Sequence, residues 1–420
     1  MKFFIISEGG DGVGLALKLQ KEGNDVRIWI RDDEASFRCK GLIDCNEDFQ
    51  IDQDTIIIAD CSGNGVLCDG FRAAGYIVLG GSAIADKLES DRAYATGVFK
   101  DVGIKTPKTK FFDDWEEARA FVETSKDKLV FKPEGDLSGV VPSYVSSDTE
   151  DMLEMLEFYK GQQHRTVPAF ALQQYIEGTC VSSEAWFNGT EFVLPFNHTL
   201  ERKQLMNEDL GPSGGCSGNV VWSCTDCEEC VICKATLWKI EDFLRSVNYV
   251  GPIDVNTVVS DDGIFALEFT PRFGYDATPT LLYTLLDAPL GVFIESVARG
   301  TSREMPLLSG YAAGVRVTVP PWPSERFAAD AGLPLRGLKH FDNFYPYDVM
   351  KSESGDFITS GGYGITGVAL GHGETIDEAF DGAYKVAKKL RLPDKQYRVD
   401  LAEVFNKDHR KLNAYAKELV

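Results

Sequence analysis

The order of apolar runs in the first hundred residues is the strongest constraint on the fold. A strand-like run at Lys2–Ile6 ends on Gly9-Gly10-Asp11-Gly12-Val13-Gly14 and is followed by a helical stretch carrying Leu15, Leu17 and Leu19. A second run follows at Val26–Ile30, a continuous apolar run at Thr55–Ala59, and another at Tyr76–Leu79 beyond a helix around Phe71. Strands alternating with helices predict a parallel sheet with crossover connections, an α/β arrangement. The glycine turn after the first strand lacks the third glycine of a dinucleotide fingerprint and reads as a tight strand-to-helix turn.

Charge narrows the range of partners. The 420 residues hold 43 Lys plus Arg against 65 Asp plus Glu, a net charge of −22. Residues 310–420 contain 15 of each sign, so residues 1–309 carry the whole excess. Nucleic-acid backbones and anionic membranes both need clustered cations, so neither is expected as a partner. A small anion needs only a few cations in one cleft. Charged residues at 26% and hydrophobic ones at 44% fit a globular chain. No apolar run reaches membrane-spanning length, and Met1–Ile6 is too short for a signal-peptide core. Ten cysteines without such a signal read as reduced thiols in a cytoplasmic protein.

Gly251–Gly274 reads GPIDVNTVVSDDGIFALEFTPRFG, two strands (Pro252–Val259 and Ile264–Phe269) around the turn Asp261-Asp262-Gly263. Asp254 and Glu268 each sit inside an apolar strand, where a carboxylate is costly unless paired or metal-bound. Two carboxylates converging from neighbouring strands suit Mg²⁺, and Arg272 can lie against the same phosphates. The bland reading is a hairpin whose acids face water. Lys132 ends the strand Leu129–Lys132 before a Gly- and Ser-containing turn and can place an ammonium on a phosphate. A snorkelling lysine is its alternative. The strand Phe170–Ile176 carries Gln174, Tyr175 and Ile176 into Glu177, as a hinge beside a flat base would.

Cys224, Cys227, Cys230 and Cys233 form a C-x₂-C-x₂-C-x₂-C run that invites a zinc or iron–sulfur reading. Against it, Cys230, Cys233, Leu237, Ile240, Leu244 and Val247 recur at helical spacing within a long helix expected over Cys227–Val247, and that reading is favoured. His198 lies in a polar, Gly-rich stretch that follows Glu191–Pro195 and runs to Gly218, where it can contact an anionic group or line a substrate cleft. His372 reads as structural. A third unit begins near Gly310, with a strand at Gly314–Val319 and an amphipathic helix at Ile376–Leu390.

Longer stretches carry a resemblance from end to end: GFRAAG at 70–75, KLESDRAYATGVFKDVGIKTP at 87–107, LPFNHTLERKQLMNEDLGP at 194–212, LEFTPRFG at 267–274 and TSGGYGITGVALGHGETIDEAFDGAY at 359–384. On these the chain resembles the phosphoribosylamine–glycine ligase family of ATP-grasp enzymes. The resemblance implies an ATP-grasp fold, α+β in its centre, with an N-terminal parallel βαβ domain over 1–86. The ATP-grasp domain would span 87–309, with a lid at about 108–175, and a small C-terminal α+β domain 310–420.

It also implies an ATP-dependent carboxylate–amine ligase working through an acyl phosphate, with ATP and Mg²⁺ or Mn²⁺ as cofactors. Arg92, Lys132 and Gly139 would face the phosphates, and Gln174, Tyr175, Ile176 and Glu177 the base and ribose. Asp254, Glu268 and Thr270 would hold the metal. Glu201, Lys203, Gly214, Gly215, Arg272 and Asp276 would meet the small-molecule substrates, with Arg272 and Lys132 catalytic. The implied assembly is a monomer or homodimer.

Departures lie at Gly139-Val140-Val141, where the family has Gly-Lys-Gly, and at Cys180, where it has a ribose-binding Glu, a role Glu177 or Glu184 can fill. Thr270 replaces Asn, Gly9-Gly10-Asp11-Gly12 replaces Gly-Gly-Arg-Glu, and Gly274-Tyr275-Asp276-Ala277 replaces Gly-Asp-Pro-Glu. They leave two alternatives, a paralogue joining another amino acid to a different, nucleotide-linked amine, and an inactive nucleotide- or metabolite-binding protein of the same fold.

Overall fold

The computed structural model describes residues 1–32, 36–45, 51–134, 141, 143–161, 169–324, 328–338 and 340–419. Strands β1 (Lys2–Ser7), β2 (Asp25–Ile30), β3 (Asp44–Cys45), β4 (Thr55–Ala59) and β5 (Ile77–Leu79) form a parallel sheet in the order β3-β2-β1-β4-β5. Thr55–Ala59 is buried on both faces because the crossover helices Val13–Lys21 and Gly65–Ala73 flank the sheet, which explains its unbroken apolar run.

Strands β6 (Thr109–Phe112), β7 (Leu129–Pro133), β8 (Tyr144–Val145) and β9 (Phe170–Gln174) make a small antiparallel sheet in the order β6-β9-β7-β8. Helices Trp115–Thr124 and Thr149–Lys160 cover it through an aromatic stack, with Trp115 4.4 Å from Phe170 and Phe131 4.7 Å from Tyr159 between ring centres.

The largest sheet contains β10 (Thr179–Phe187), β11 (Phe192–Gln204), β12 (Ser213–Ser223), β13 (Gly251–Ser260), β14 (Gly263–Thr270), β15 (Tyr311–Thr318) and β16 (Phe344–Pro346). Beyond the hairpin β17 (Val349–Lys351) and β18 (Phe357–Thr359), β19 (Ile365–Gly373) completes it in the order β14-β13-β10-β11-β12-β15-β19-β16. Past residue 310 the sheet continues through β15, β19 and β16, and helices Ile376–Lys389 and Leu401–Glu418 pack into the same core cluster as β1, β2 and β4.

The polar stretch after Pro195 forms strands: β11 and β12 pair across it, and Asn197, His198, Thr199 and Asn219 are buried there. Two expectations about local structure change. The long helix over Cys227–Val247 breaks into Val231–Ala235, a 3₁₀ turn at Leu237–Lys239 and Glu241–Ser246. Thr236, at φ −130° and ψ −89°, interrupts the helical ladder. Cys39 is disulfide-bonded, whereas Cys61, Cys68, Cys180, Cys216, Cys224, Cys227, Cys230 and Cys233 are free thiols.

Among the described residues no helix is long and apolar enough to cross a membrane.

Candidate active site

Strand pairing sets the site. Glu184 on β10 lies opposite Asp254 on β13, which lies opposite Thr270 on β14. One step along, Ser182 lies opposite Asn256, and Asn256 opposite Glu268. On β11, Thr199 pairs with Ser182 and Asn197 with Glu184, and by the period of two Glu201 and Lys203 share their face. One face of the sheet thus carries the carboxylates Glu184, Glu201, Asp254 and Glu268.

Asp254 and Glu268 are diagonal neighbours, not an opposed pair. Asp254 accepts from the Ser182 hydroxyl and, at 3.2 Å, from Asn256 Nδ2, which also reaches Thr270 Oγ1 at 3.4 Å. Burial drives the Asp254 carboxyl well above its usual range. The Ser182 hydrogen bond opposes this, and the charges of Glu184, Glu201 and Glu268 add to the rise. Burial also pushes Glu184 up to about 7, against the 2.7 Å hydrogen bond from Thr278 Oγ1. Glu184 Oε1 is buried without a hydrogen-bond partner among the described residues.

Oxygen donors only, crowded like charges and an orphaned carboxylate oxygen fit a hard divalent cation, which would relieve the repulsion. Asp254, Glu268 and Thr270 are the residues that would hold Mg²⁺ or Mn²⁺.

The cations gather around Glu268. Burial alone would raise its carboxyl, but Lys203, Lys132, Arg92 and Arg272 together hold it below the ordinary value. Burial lowers Lys132 to about 8, with Glu268 opposing and Arg92 and Lys203 reinforcing. Lys203 is raised by Glu268, against burial and with help from Glu201. Arg92 opens the helix Arg92–Asp101, whose first backbone N–H is anchored 2.8 Å from Glu134 Oε1 just past β7. Arg92 Nε is buried without a hydrogen-bond partner among the described residues. Four cations around one acid, one with an unpaired donor, can take several phosphate oxygens.

Other expected site residues are elsewhere or already engaged. Gly139 lies outside the described residues. At the end of β9, Gln174 Nε2 bonds Asp127 Oδ1 at 3.2 Å and the Tyr175 ring lies 4.4 Å from Lys128 Nζ. Ile176 is half-buried and Glu177 exposed, and Gly178 packs where a Cβ would come within 2.4 Å of the Val259 carbonyl oxygen. Glu184 sits in the carboxylate face, away from the hinge and so not placed as Glu177 is.

Arg272 is paired with Glu89 and stacks 4.1 Å from the Tyr275 ring centre. Asp276 is fully buried and gripped by Arg316, whose Nε and Nη2 reach its two oxygens at 2.9 and 2.7 Å. Arg316 Nη1 also bonds the Gly214 carbonyl at 2.9 Å, beside Gly215 at φ +77°. Arg316, Glu89 and the place of Glu184 on the carboxylate face escape the sequence reading. A lone arginine within Gly-Val-Arg-Val-Thr-Val is the signal for the first.

His198 points away from this face: its Nδ1 is 2.9 Å from Ser183 Oγ, whose chain neighbours Ser182 and Glu184 face the site. The alternation of β11 therefore removes it from the substrate segment. His372 Nε2 meets the Ser309 carbonyl at 2.7 Å.

The family model for the phosphoribosylglycinamide synthetase ATP-grasp (A) domain matches residues 90–278. The phosphoribosylamine–glycine ligase of Thermotoga maritima is 26% identical over 325 residues, covering 75% of this chain and 78% of its own. That of Clostridium acetobutylicum is 21% identical over 429 residues, covering 96% and 100%. The crystal structure of the Thermotoga maritima ligase superposes with a TM-score of 0.73 at 22% identity, over 95% of this chain and 99% of that one. The biotin carboxylase domain of Hydrogenobacter thermophilus 2-oxoglutarate carboxylase, solved with MgADP and bicarbonate, follows at 0.65 and 12% identity, over 94% and 91%. The cation cluster and the acidic sheet face lie inside the segment 90–278 matched by the ATP-grasp (A) domain model, and the chain is similar along most of its length to phosphoribosylamine–glycine ligases.

Proposed function

We propose that the protein is an ATP-dependent carboxylate–amine ligase acting through an acyl phosphate, with glycine as the acid and phosphoribosylamine as the amine. The carrying observation is the acidic sheet face of Glu184, Glu201, Asp254 and Glu268 set by strand pairing, with Arg92, Lys132, Lys203 and Arg272 near enough to act on the Glu268 charge. Phosphoryl transfer to a carboxylate depends on alignment and charge neutralisation more than on a nucleophilic side chain. Arg92, Lys132 and Lys203 would bind and align the phosphate oxygens. The bound divalent cation would neutralise charge on the phosphates. Arg272, oriented by Glu89, would hold the carboxylate while the γ-phosphoryl group moves to it. The amine nitrogen would then attack the acyl carbon, expel phosphate and lose a proton. The hinge Gln174–Glu177 would line the base and ribose, and Gly214, Gly215 and Glu201 the acceptor. We place this activity in the cytoplasm, in a monomer or homodimer.

A second reading, a different amine, draws on the acceptor end. Arg38, Arg272 and Arg316 are already committed to Asp348, Glu89 and Asp276, which leaves them poorly placed to take a ribose phosphate. Incubation with ATP, Mg²⁺, glycine and phosphoribosylamine, followed by ADP release, tests the first reading. The same assay over a panel of amino acids and amines tests the second. ADP formed only with another pair would replace the first reading, and no ADP with any pair would overturn both.

A further inference from the structure

The back of the large sheet holds a second cluster that the ligase chemistry does not use. His198 Nε2 lies 3.5 Å from Cys230 Sγ and 4.0 Å from Cys233 Sγ, and Cys233 Sγ lies 3.9 Å from Cys224 Sγ. The four ligand atoms are all within 4.8 Å of one another. Cys224, Cys233 and His198 are buried and Cys230 is half-buried at the rim of a cleft lined by Trp222, Asp226 and His409. We propose that His198, Cys224, Cys230 and Cys233 form a structural tetrahedral Zn²⁺ site.

The distances carry the proposal. Zinc bound to sulfur at about 2.3 Å and to nitrogen at about 2.0 Å sets tetrahedral edges of about 3.5–3.8 Å. Three of the six edges are 3.5, 3.9 and 4.0 Å and none exceeds 4.8 Å, so closure needs side-chain shifts of about 1 Å or less. The imidazole is oriented for it: Ser183 Oγ engages Nδ1 and leaves Nε2 facing the thiols. Cys227 is excluded by its own bonds. Its sulfur accepts the Phe196 N–H at 3.1 Å and donates to the Cys224 carbonyl at 3.2 Å. The donor set is therefore three of the four spaced cysteines plus a histidine from another strand.

Local structure supplies the reason for a staple. The segment after β12 contains only helices of five and six residues and one 3₁₀ turn. Helices so short have almost no stability of their own. The ligands join the end of β12 and the start of Val231–Ala235 to the middle of β11. Binding replaces three thiol protons, leaving three thiolates and a neutral imidazole around Zn²⁺, net charge −1, with up to three protons released to solvent.

The test uses the full chain without ATP or Mg²⁺. After chelator treatment, Co²⁺ is titrated in and the thiolate-to-cobalt charge-transfer and tetrahedral d–d absorptions are recorded; Zn²⁺ is then added. We expect saturation at one Co²⁺ per chain, displacement by Zn²⁺, and a melting temperature several degrees higher with metal than without. Cys227→Ser should keep the cobalt spectrum, whereas Cys230→Ser and Cys233→Ser should lose it. A folded wild-type chain with no cobalt spectrum would overturn the site even if the variants misfold. So would iron with acid-labile sulfide, a Cys224–Cys233 disulfide in the purified protein, or equal loss in Cys227→Ser. Ligase activity plays no part in these readouts, so they stand apart from the proposed reaction.

Discussion

Arg272 donates from Nε to both carboxylate oxygens of Glu89, each at 3.1 Å, and from Nη2 to Oε1 at 2.7 Å. The pair ties the helix Ala83–Ser90 to the segment that follows β14 and fixes the guanidinium plane against Tyr275. Glu89 thus positions Arg272 without belonging to the sheet that carries the carboxylate cluster.

Glu89→Gln keeps the shape of the acceptor but removes its charge. We expect turnover to fall about tenfold with the fold retained, as befits loss of a charge-assisted bond. Arg272→Lys should fall further, since a lysine cannot reproduce the fork. ADP-release kinetics with urea midpoints measured alongside check this; unchanged turnover in Glu89→Gln would contradict the positioning role.

Glu268→Ala removes the acid on which four cations converge. We expect a loss of turnover of about a hundredfold or more, whereas Cys227→Ala should stay within a few fold of the parent. Steady-state ADP release on both variants decides; equal losses would contradict the metal assignments.

Lys132 titrates at about 8 because burial disfavours its charge. Its ammonium is present below that pH and is lost as pH rises through it. Nucleotide affinity should therefore weaken between about pH 7 and 9, at a point shifted upward once bound phosphates favour the charged form. Lys132→Arg should flatten the profile. Calorimetric titration of ATP across that range tests the sign, and tighter binding at pH 9 would refute it.

Arg316 and Asp276 are both buried, and loss of one partner leaves the other charge unmatched. Asp276→Asn or Arg316→Met should each cost about 3–5 kcal/mol, and the double variant clearly less than their sum. Urea unfolding measures this. Full stability with lost activity in Asp276→Asn would instead make Asp276 a substrate contact.

What the sequence made legible followed burial. Thr55–Ala59 reads as a strand because both of its faces are covered, and Asp254 and Glu268 stand out because they interrupt apolar runs. β11 and β12 read only as a polar, Gly-rich stretch because the face they turn toward the site carries Asn197, Thr199, Glu201, Lys203 and Asn219. The 3–4 spacing from Cys233 to Val247 did mark buried residues, but several short helices satisfy it as well as one long one. His198 reaches its thiols across more than 25 positions of sequence, a proximity that only strand pairing creates.

The alternation of β10 and β11 has a consequence for how this chain can vary. Ser182 and Glu184 face the carboxylate cluster while Ser183 between them faces the imidazole, and Asn197 and Thr199 flank His198 in the same way. A substitution at any of these positions disturbs one face only. Insertion or deletion of a single residue in either strand would turn every downstream side chain through the sheet, sending acids toward thiols and the imidazole toward the phosphate side. Length in these two strands is thus held more tightly than composition, and gaps in divergent relatives should fall in the turns between them.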